Sequence, residues 1–143
     1  MLKKFFIILI AILLLVGLSG NVFAKDTYTA TSTINGVTAN WEYELNDSNQ
    51  IENLKCTNPT ALTGNVTIPS TLDGKAIVSL AKGAFESATS ITEITIPSTV
   101  KEIGSWAFLE CTSLSKVNLG NVEKINNLSF KNCTALTLSL IHM

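Results

Sequence analysis

The sequence predicts an α/β solenoid of about three stacked rungs, each a strand followed by a loop and short helix. A small β module precedes the rungs, and an export leader precedes the module. Three observations carry this reading. A block of about 23 residues recurs through the second half of the chain, the segment opening each block alternates apolar and polar side chains, and the first two dozen residues form a charged-then-apolar leader.

The leader comes first. Lys3 and Lys4 form a short positive region, Phe5 through Leu18 is an unbroken apolar run, and Gly17, Ser19 and Gly20 loosen the helix before Val22-Phe23-Ala24. Small or short side chains one and three residues before a cut suit a signal peptidase pocket, which places cleavage between Ala24 and Lys25. An uncleaved membrane anchor is disfavoured, because 14 apolar residues fall short of the roughly 20 that span a bilayer. No Cys follows the cut, so a lipid-modified amino terminus is not expected.

The chain divides into a signal peptide over 1–24, an amino-terminal β module over 25–60 and repeats over 61–143, incomplete at the carboxyl end. The part after the leader holds 119 of the 143 residues, enough for one domain. It carries eight Lys, eleven acidic residues and no Arg, a formal charge of −3. That balance offers no electrostatic footprint for nucleic acid and no lysine run suited to anionic lipid. Neither nucleic acid nor, once the leader is removed, a membrane is an expected partner.

In the module, Trp41-Glu42-Tyr43-Glu44-Leu45 alternates as a strand does, with Trp41 and Tyr43 on one side and Glu42 and Glu44 on the other. Paired carboxylates can serve a glycosidase, but a solvated strand face is the favoured account of the Glu pair. Trp41 and Tyr43 are read as the module's own core, or its packing onto the first repeat, ahead of a sugar- or peptide-contacting stripe.

The repeat is clearest from Ile91 to Ser113, and Leu114 opens the next unit. Phe85 precedes Phe108 by 23 positions, and Phe130 follows Phe108 by 22. Ile68-Pro69-Ser70-Thr71-Leu72 anticipates Ile96-Pro97-Ser98-Thr99-Val100 by 28 positions, so the first unit holds about five extra residues, which Asp73-Gly74 turns outward. Such a unit is too small to close a core alone and stacks on its neighbours.

In each strand segment the inward set is Ile91, Ile94 and Ile96, beneath Leu114, Val117 and Leu119. Thr92, Glu93, Thr95, Ser115, Lys116 and Asn118 then face outward, with Glu93 and Lys116 in the same slot of adjacent rungs. The return half, Ile103 to Phe108, is expected as a loop entering a short helical turn. There Ala84, Ala107 and Ser129 fill a small position, while Phe85, Phe108 and Phe130 form an aromatic ladder.

The phrase from Ile96 to Leu114, Ile-Pro-Ser-Thr-Val-Lys-Glu-Ile-Gly-Ser-Trp-Ala-Phe-Leu-Glu-Cys-Thr-Ser-Leu, resembles the BspA-type leucine-rich repeat of bacterial and some protist surface proteins. The resemblance runs from about residue 62 to 140, and Ile34 to Leu45 resembles the short β module that often opens such arrays. It implies an exported or wall-associated protein used in adhesion, and no active site. The departures are Ala88 where later units have Cys111 and Cys133, no Pro in the third unit, and a one-residue slip after Leu136 that puts Leu138 and Leu140 on the strand phase.

Cys56, Cys111 and Cys133 make an odd count that is not a disulfide framework. Cys111 and Cys133 share a repeat position and read best as small apolar fillers, ahead of a disulfide or reactive pair. The single His, His142, has no positioned partner for acid–base chemistry or a metal. The sequence therefore suggests no catalytic, cofactor-binding or metal-binding residues and no cofactor.

The expected function is binding of a protein or glycan on a host or neighbouring cell, by a secreted or wall-associated protein. The six outward residues form the expected face. A self-assembling repeat, associating through an uncapped carboxyl end, and a truncated remnant of a longer adhesin rank next. A hydrolase ranks last.

Overall fold

A computed structural model of the chain describes residues 25–137 and 141–142. The leader and Ala24 lie outside the described residues, as do Leu138 and Leu140.

Three parallel strands, β4 (Gly64–Thr67), β8 (Ile91–Thr95) and β10 (Lys116–Asn118), form one sheet, with β12 (Ile141–His142) beyond β10. Successive rungs align Val66, Ile94 and Val117, all buried, so the apolar half of each strand's alternation becomes one column. Pro97 follows β8, where a residue without an N–H ends pairing at no cost. Ile141 aligns with Val117 at a spacing of 24 residues, against 23 from Ile94 to Val117, so it is Ile141 and not Leu140 that takes the Val117 position.

A second sheet runs β1-β2-β3-β7-β9-β11. Its β1 (Tyr28–Ile34) and β2 (Val37–Leu45) make a hairpin over Asn35 and Gly36, both with positive φ as a two-residue turn requires. Next, β3 (Ile51–Cys56) pairs antiparallel with β2 and parallel with β7 (Ser79–Leu80), so hydrogen bonding continues from module to repeats. The short strands β9 (Glu102–Ile103) and β11 (Lys124–Ile125) continue the parallel order. Leu80 and Ile103 are buried one above the other. The extra residues of the first unit form their own hairpin, β5 (Thr71–Leu72) and β6 (Lys75–Ala76), turning at Asp73 and Gly74 with φ of 49° and 74°.

The expected short helix of the return half is not what forms, and the α/β label gives way to a β-solenoid. Among the described residues the single helical element is a 3₁₀ turn at Pro59–Ala61. Bonds such as Ala107 N–H to Gly104 O and Leu109 N–H to Trp106 O close four-residue turns. The intervening donors leave the segment: Trp106, Phe108 and Glu110 N–H bond the carbonyls of Asn127, Ser129 and Lys131 on the next rung. Gly83, Phe85 and Ser87 N–H reach Ser105, Ala107 and Leu109 in the same way. Left-handed residues at Ser87, Glu110 and Asn132 enforce this alternation. A helix needs those N–H groups for its own i→i−4 bonds; here they become a third inter-rung ladder.

One core serves both sheets and the turns. Phe85, Phe108 and Phe130 stack face to face at centroid separations of 5.4 and 5.1 Å, and Trp41 meets Phe85 edge-on at 5.9 Å. Ala84, Ala107 and Ser129 occupy the small slot beside them, all buried. The Ser129 hydroxyl is satisfied by donating to Gly104 O at 3.0 Å.

Candidate interaction face

The six outward residues lie together on the sheet of β4, β8 and β10. Thr92 and Asn118 are exposed, while Glu93, Thr95, Ser115 and Lys116 are half-buried. Lys116 sits opposite Glu93, and its Nζ lies 2.7 Å from Glu93 Oε1. The Ser115 hydroxyl donates to Thr92 O at 3.1 Å, and the Thr92 hydroxyl to Asn65 Oδ1 at 3.3 Å. Asn65 and Thr67 of β4 extend the face by one rung, aligned with Glu93 and Thr95. Neither is among the expected face residues, because the first unit's strand lacks the Leu-x-x-Ile opening; the Asn-x-Thr spacing that matches Glu93-Ile94-Thr95 is the available signal.

The face is polar because the pleat leaves it no alternative. Every apolar residue of β8 and β10 is committed to the core, so outward side chains can change without altering packing. Its charges compensate one another, and its hydroxyls partly bond within it. That suits shallow contacts spread over several rungs.

The other sequence candidates separate cleanly. Trp41 and Tyr43 are buried, and Glu42 and Glu44 lie on the opposite side of β2, exposed and half-buried. Glu42 stands across from Lys55 of β3. The Tyr43 hydroxyl donates to Asp73 Oδ2 at 3.1 Å, and burial, followed by that bond, raises its pKa to about 12. His142 belongs to β12, and its side chain is outside the described residues.

All three cysteines are free and buried. The Cys111 and Cys133 thiols donate to Phe85 O at 3.2 Å and Phe108 O at 3.0 Å, stitching each rung to its neighbour. The neighbouring Cys133 thiol, then burial, pushes the Cys111 thiol well above the ordinary range, while the same contact lowers Cys133. Burial also pushes Cys56 up. Among the described residues no three His, Cys, Asp or Glu side chains gather to hold a metal ion, and no helix is long and apolar enough to cross a membrane.

One surface feature was not legible in the sequence. Trp106 and Leu128, both exposed, occupy the repeat slot filled by Gly83 in the first rung, and all three have φ near +60°. They border a shallow groove across the turns.

Parallel rungs, an aromatic column and a polar outward strand face define a leucine-rich-repeat solenoid. The family model described as "BspA type Leucine rich repeat region (6 copies)" matches residues 49–141, more than half of the chain, and the chain belongs to that family. The match starts upstream of residue 62 and takes in β3, in keeping with the pairing of β3 with β7.

Among solved structures, a leucine-rich repeat protein of T. pallidum (TpLRR) superposes with a TM-score of 0.59 at 28% identity, over 67% of this chain and 44% of that one. A leucine-rich cell surface protein of Faecalibacterium prausnitzii A2-165 gives 0.58 at 29% identity, over 76% of this chain and 29% of that one. The chain thus spans less than half the length of either. No curated protein matches it.

Proposed function

We propose that this chain is an exported binding protein, released or held at the cell surface, which engages a protein or glycan on a host or neighbouring cell through the outward face of β4, β8 and β10. The observation that carries the reading is the separation of labour within each rung. Inward residues form the column, and Thr92, Glu93, Thr95, Ser115, Lys116 and Asn118 are left to vary on a rigid sheet. Repeat proteins use such surfaces for recognition.

Membership of a BspA-type family supports the reading, as does a neighbour whose name is a cell surface protein. The leader, with cleavage between Ala24 and Lys25, supports export. The chemistry also favours binding over catalysis: the Cys111 and Cys133 thiols serve the backbone, and Glu42 and Glu44 line a shallow depression in which Lys55 and Lys82 stand beside them. The face is only three to four strands deep, about 15 Å at sheet spacing, so contacts there would be modest in area and gain from repetition of the ligand.

The test is binding of the purified protein to immobilised panels of extracellular proteins and glycans, beside a Thr92→Arg, Ser115→Arg variant. Binding by the parent and its loss in a normally folded variant supports the proposal. Equal binding by both refutes the assignment of the face.

A further inference from the structure

The groove across the turns carries a second binding surface, distinct from the strand face. It measures about 350 Å³ and is lined by Lys55, Lys82, Trp106, Leu109, Leu128 and Lys131, together with Glu86. We infer that this groove binds an acidic peptide segment of a partner protein, seating an apolar side chain against Trp106 and Leu128 while its carboxylates meet the three lysines.

Backbone conformation is the first observation. Trp106 and Leu128 both have φ of 59°, in a slot where the first rung has Gly83 at 63°. Bulky L residues resist this region. Glycine fits it without strain, and asparagine with little. Two large apolar side chains are nevertheless held there on consecutive rungs, 37% and 53% exposed. Neither fills the core: the neighbours that do are Ala107, Phe108 and Ser129. The backbone conformation belongs to the turn of every rung, but large exposed apolar side chains there are not required by it, and such outliers are grounds for a functional hypothesis.

Charge is the second and independent observation. Lys25, Lys101, Lys116 and Lys124 each pair with a carboxylate, the last three with one on the adjacent rung. Among the described residues, Lys55, Lys75, Lys82 and Lys131 have no carboxylate within 4.0 Å, and three of those four line this groove. They come from three different turns of the chain, so no run of lysines announced them. Glu86 shares the lining, and Glu42 and Glu44 share a neighbouring depression with Lys55 and Lys82. Lys82 Nζ lies 4.4 Å from the Trp106 ring centroid, which holds the ammonium beside the apolar floor. In a chain of net negative charge, three lysines here share the groove with one carboxylate, Glu86.

Those two features fix the occupant's chemistry. Carboxylates complement the lysines, and an aliphatic or aromatic side chain complements Trp106, Leu109 and Leu128. A neutral glycan fits less well, since it would leave the lysine ammonium groups without a counter-charge. The inference rests on the chain being a binding protein but not on the strand face being its site.

The test is fluorescence anisotropy of a labelled twelve-residue synthetic peptide, Glu-rich with a central Leu-Phe pair, titrated with the protein at 50 and 300 mM salt. The peptide should bind, at least tenfold more weakly at the higher salt. Its Lys-rich counterpart and a Glu-only peptide should bind at least tenfold more weakly than it does. Trp106→Gly, which suits the backbone, and the double variant Lys82→Gln, Lys131→Gln should each lose tenfold or more. Thr92→Arg, Ser115→Arg should lose nothing, which separates this result from any failure of the strand-face reading.

Any of four results overturns the inference: no binding, equal binding of the Lys-rich peptide, unchanged affinity in both groove variants, or preference for anionic vesicles or a sulfated glycan over the peptide. Should Trp106→Gly fail to fold, the lysine variant alone decides.

Discussion

Phe108 lies parallel to Phe85, their ring centroids 5.4 Å apart and their planes 9° apart, in a column that Trp41 closes at one end and Phe130 extends at the other. Because each rung is too small to have its own core, this column is the common core of the molecule. Loss of one member should be felt across all rungs. Phe108→Ala should cost about 3–5 kcal/mol, read as a drop in melting temperature by circular dichroism. A neutral result would show that the stacking register is wrong.

Gly104 is required for closeness of approach, not for its φ. A Cβ there would come within 2.4 Å of the Ala81 carbonyl carbon, and backbone cannot swing aside as a side chain can. Gly104→Ala should therefore push two rungs apart and cost on the order of 1–3 kcal/mol. Chemical denaturation of the purified variant measures this; unchanged stability would mean that the rungs are less tightly apposed than described.

Tyr43 makes stability depend on alkaline pH. Its pKa in the fold is raised from 10.0 to about 12, so the fold favours the neutral phenol. That preference contributes fully below pH 10 and is lost as pH climbs through 12. Melting temperature should fall over that window, and Tyr43→Phe should make the fall shallower. If parent and variant fall in parallel, Tyr43 is not the group responsible.

Glu93 and Lys116 pair on the surface, with 25% and 44% of their side chains exposed. Their coupling in a double-mutant cycle should be small, ~0.2–1 kcal/mol. Glu93→Lys should accordingly fold, with a slightly lower melting temperature. A large loss of stability would show that this slot is part of the core.

The sequence was most readable where a residue type has one structural use. Ile91, Ile94 and Ile96 alternate, so β8 and its inward face followed directly. Asp73-Gly74 permits positive φ, so the extra hairpin fell where it was expected. The spacing of Phe85, Phe108 and Phe130 marked the aromatic column.

The second sheet was hidden because two-residue strands such as Glu102–Ile103 are too short to show a period. The expected helix failed because Trp106, Glu110, Leu128 and Asn132 adopt left-handed backbone, which for Trp and Leu no propensity foretells. The groove was hidden for a related reason. Lys55, Lys82 and Lys131 are far apart in sequence and converge only once the rungs stack. The outward face was legible as a face; what it binds is not written in residues that alternate simply to stay in water.

The measurement closest to the central claim pairs binding with melting for the Thr92→Arg, Ser115→Arg variant against the partner found by surface display of the parent protein. The account predicts a melting temperature close to that of the parent, with binding at least tenfold weaker. A variant that melts normally and binds as the parent does would contradict it.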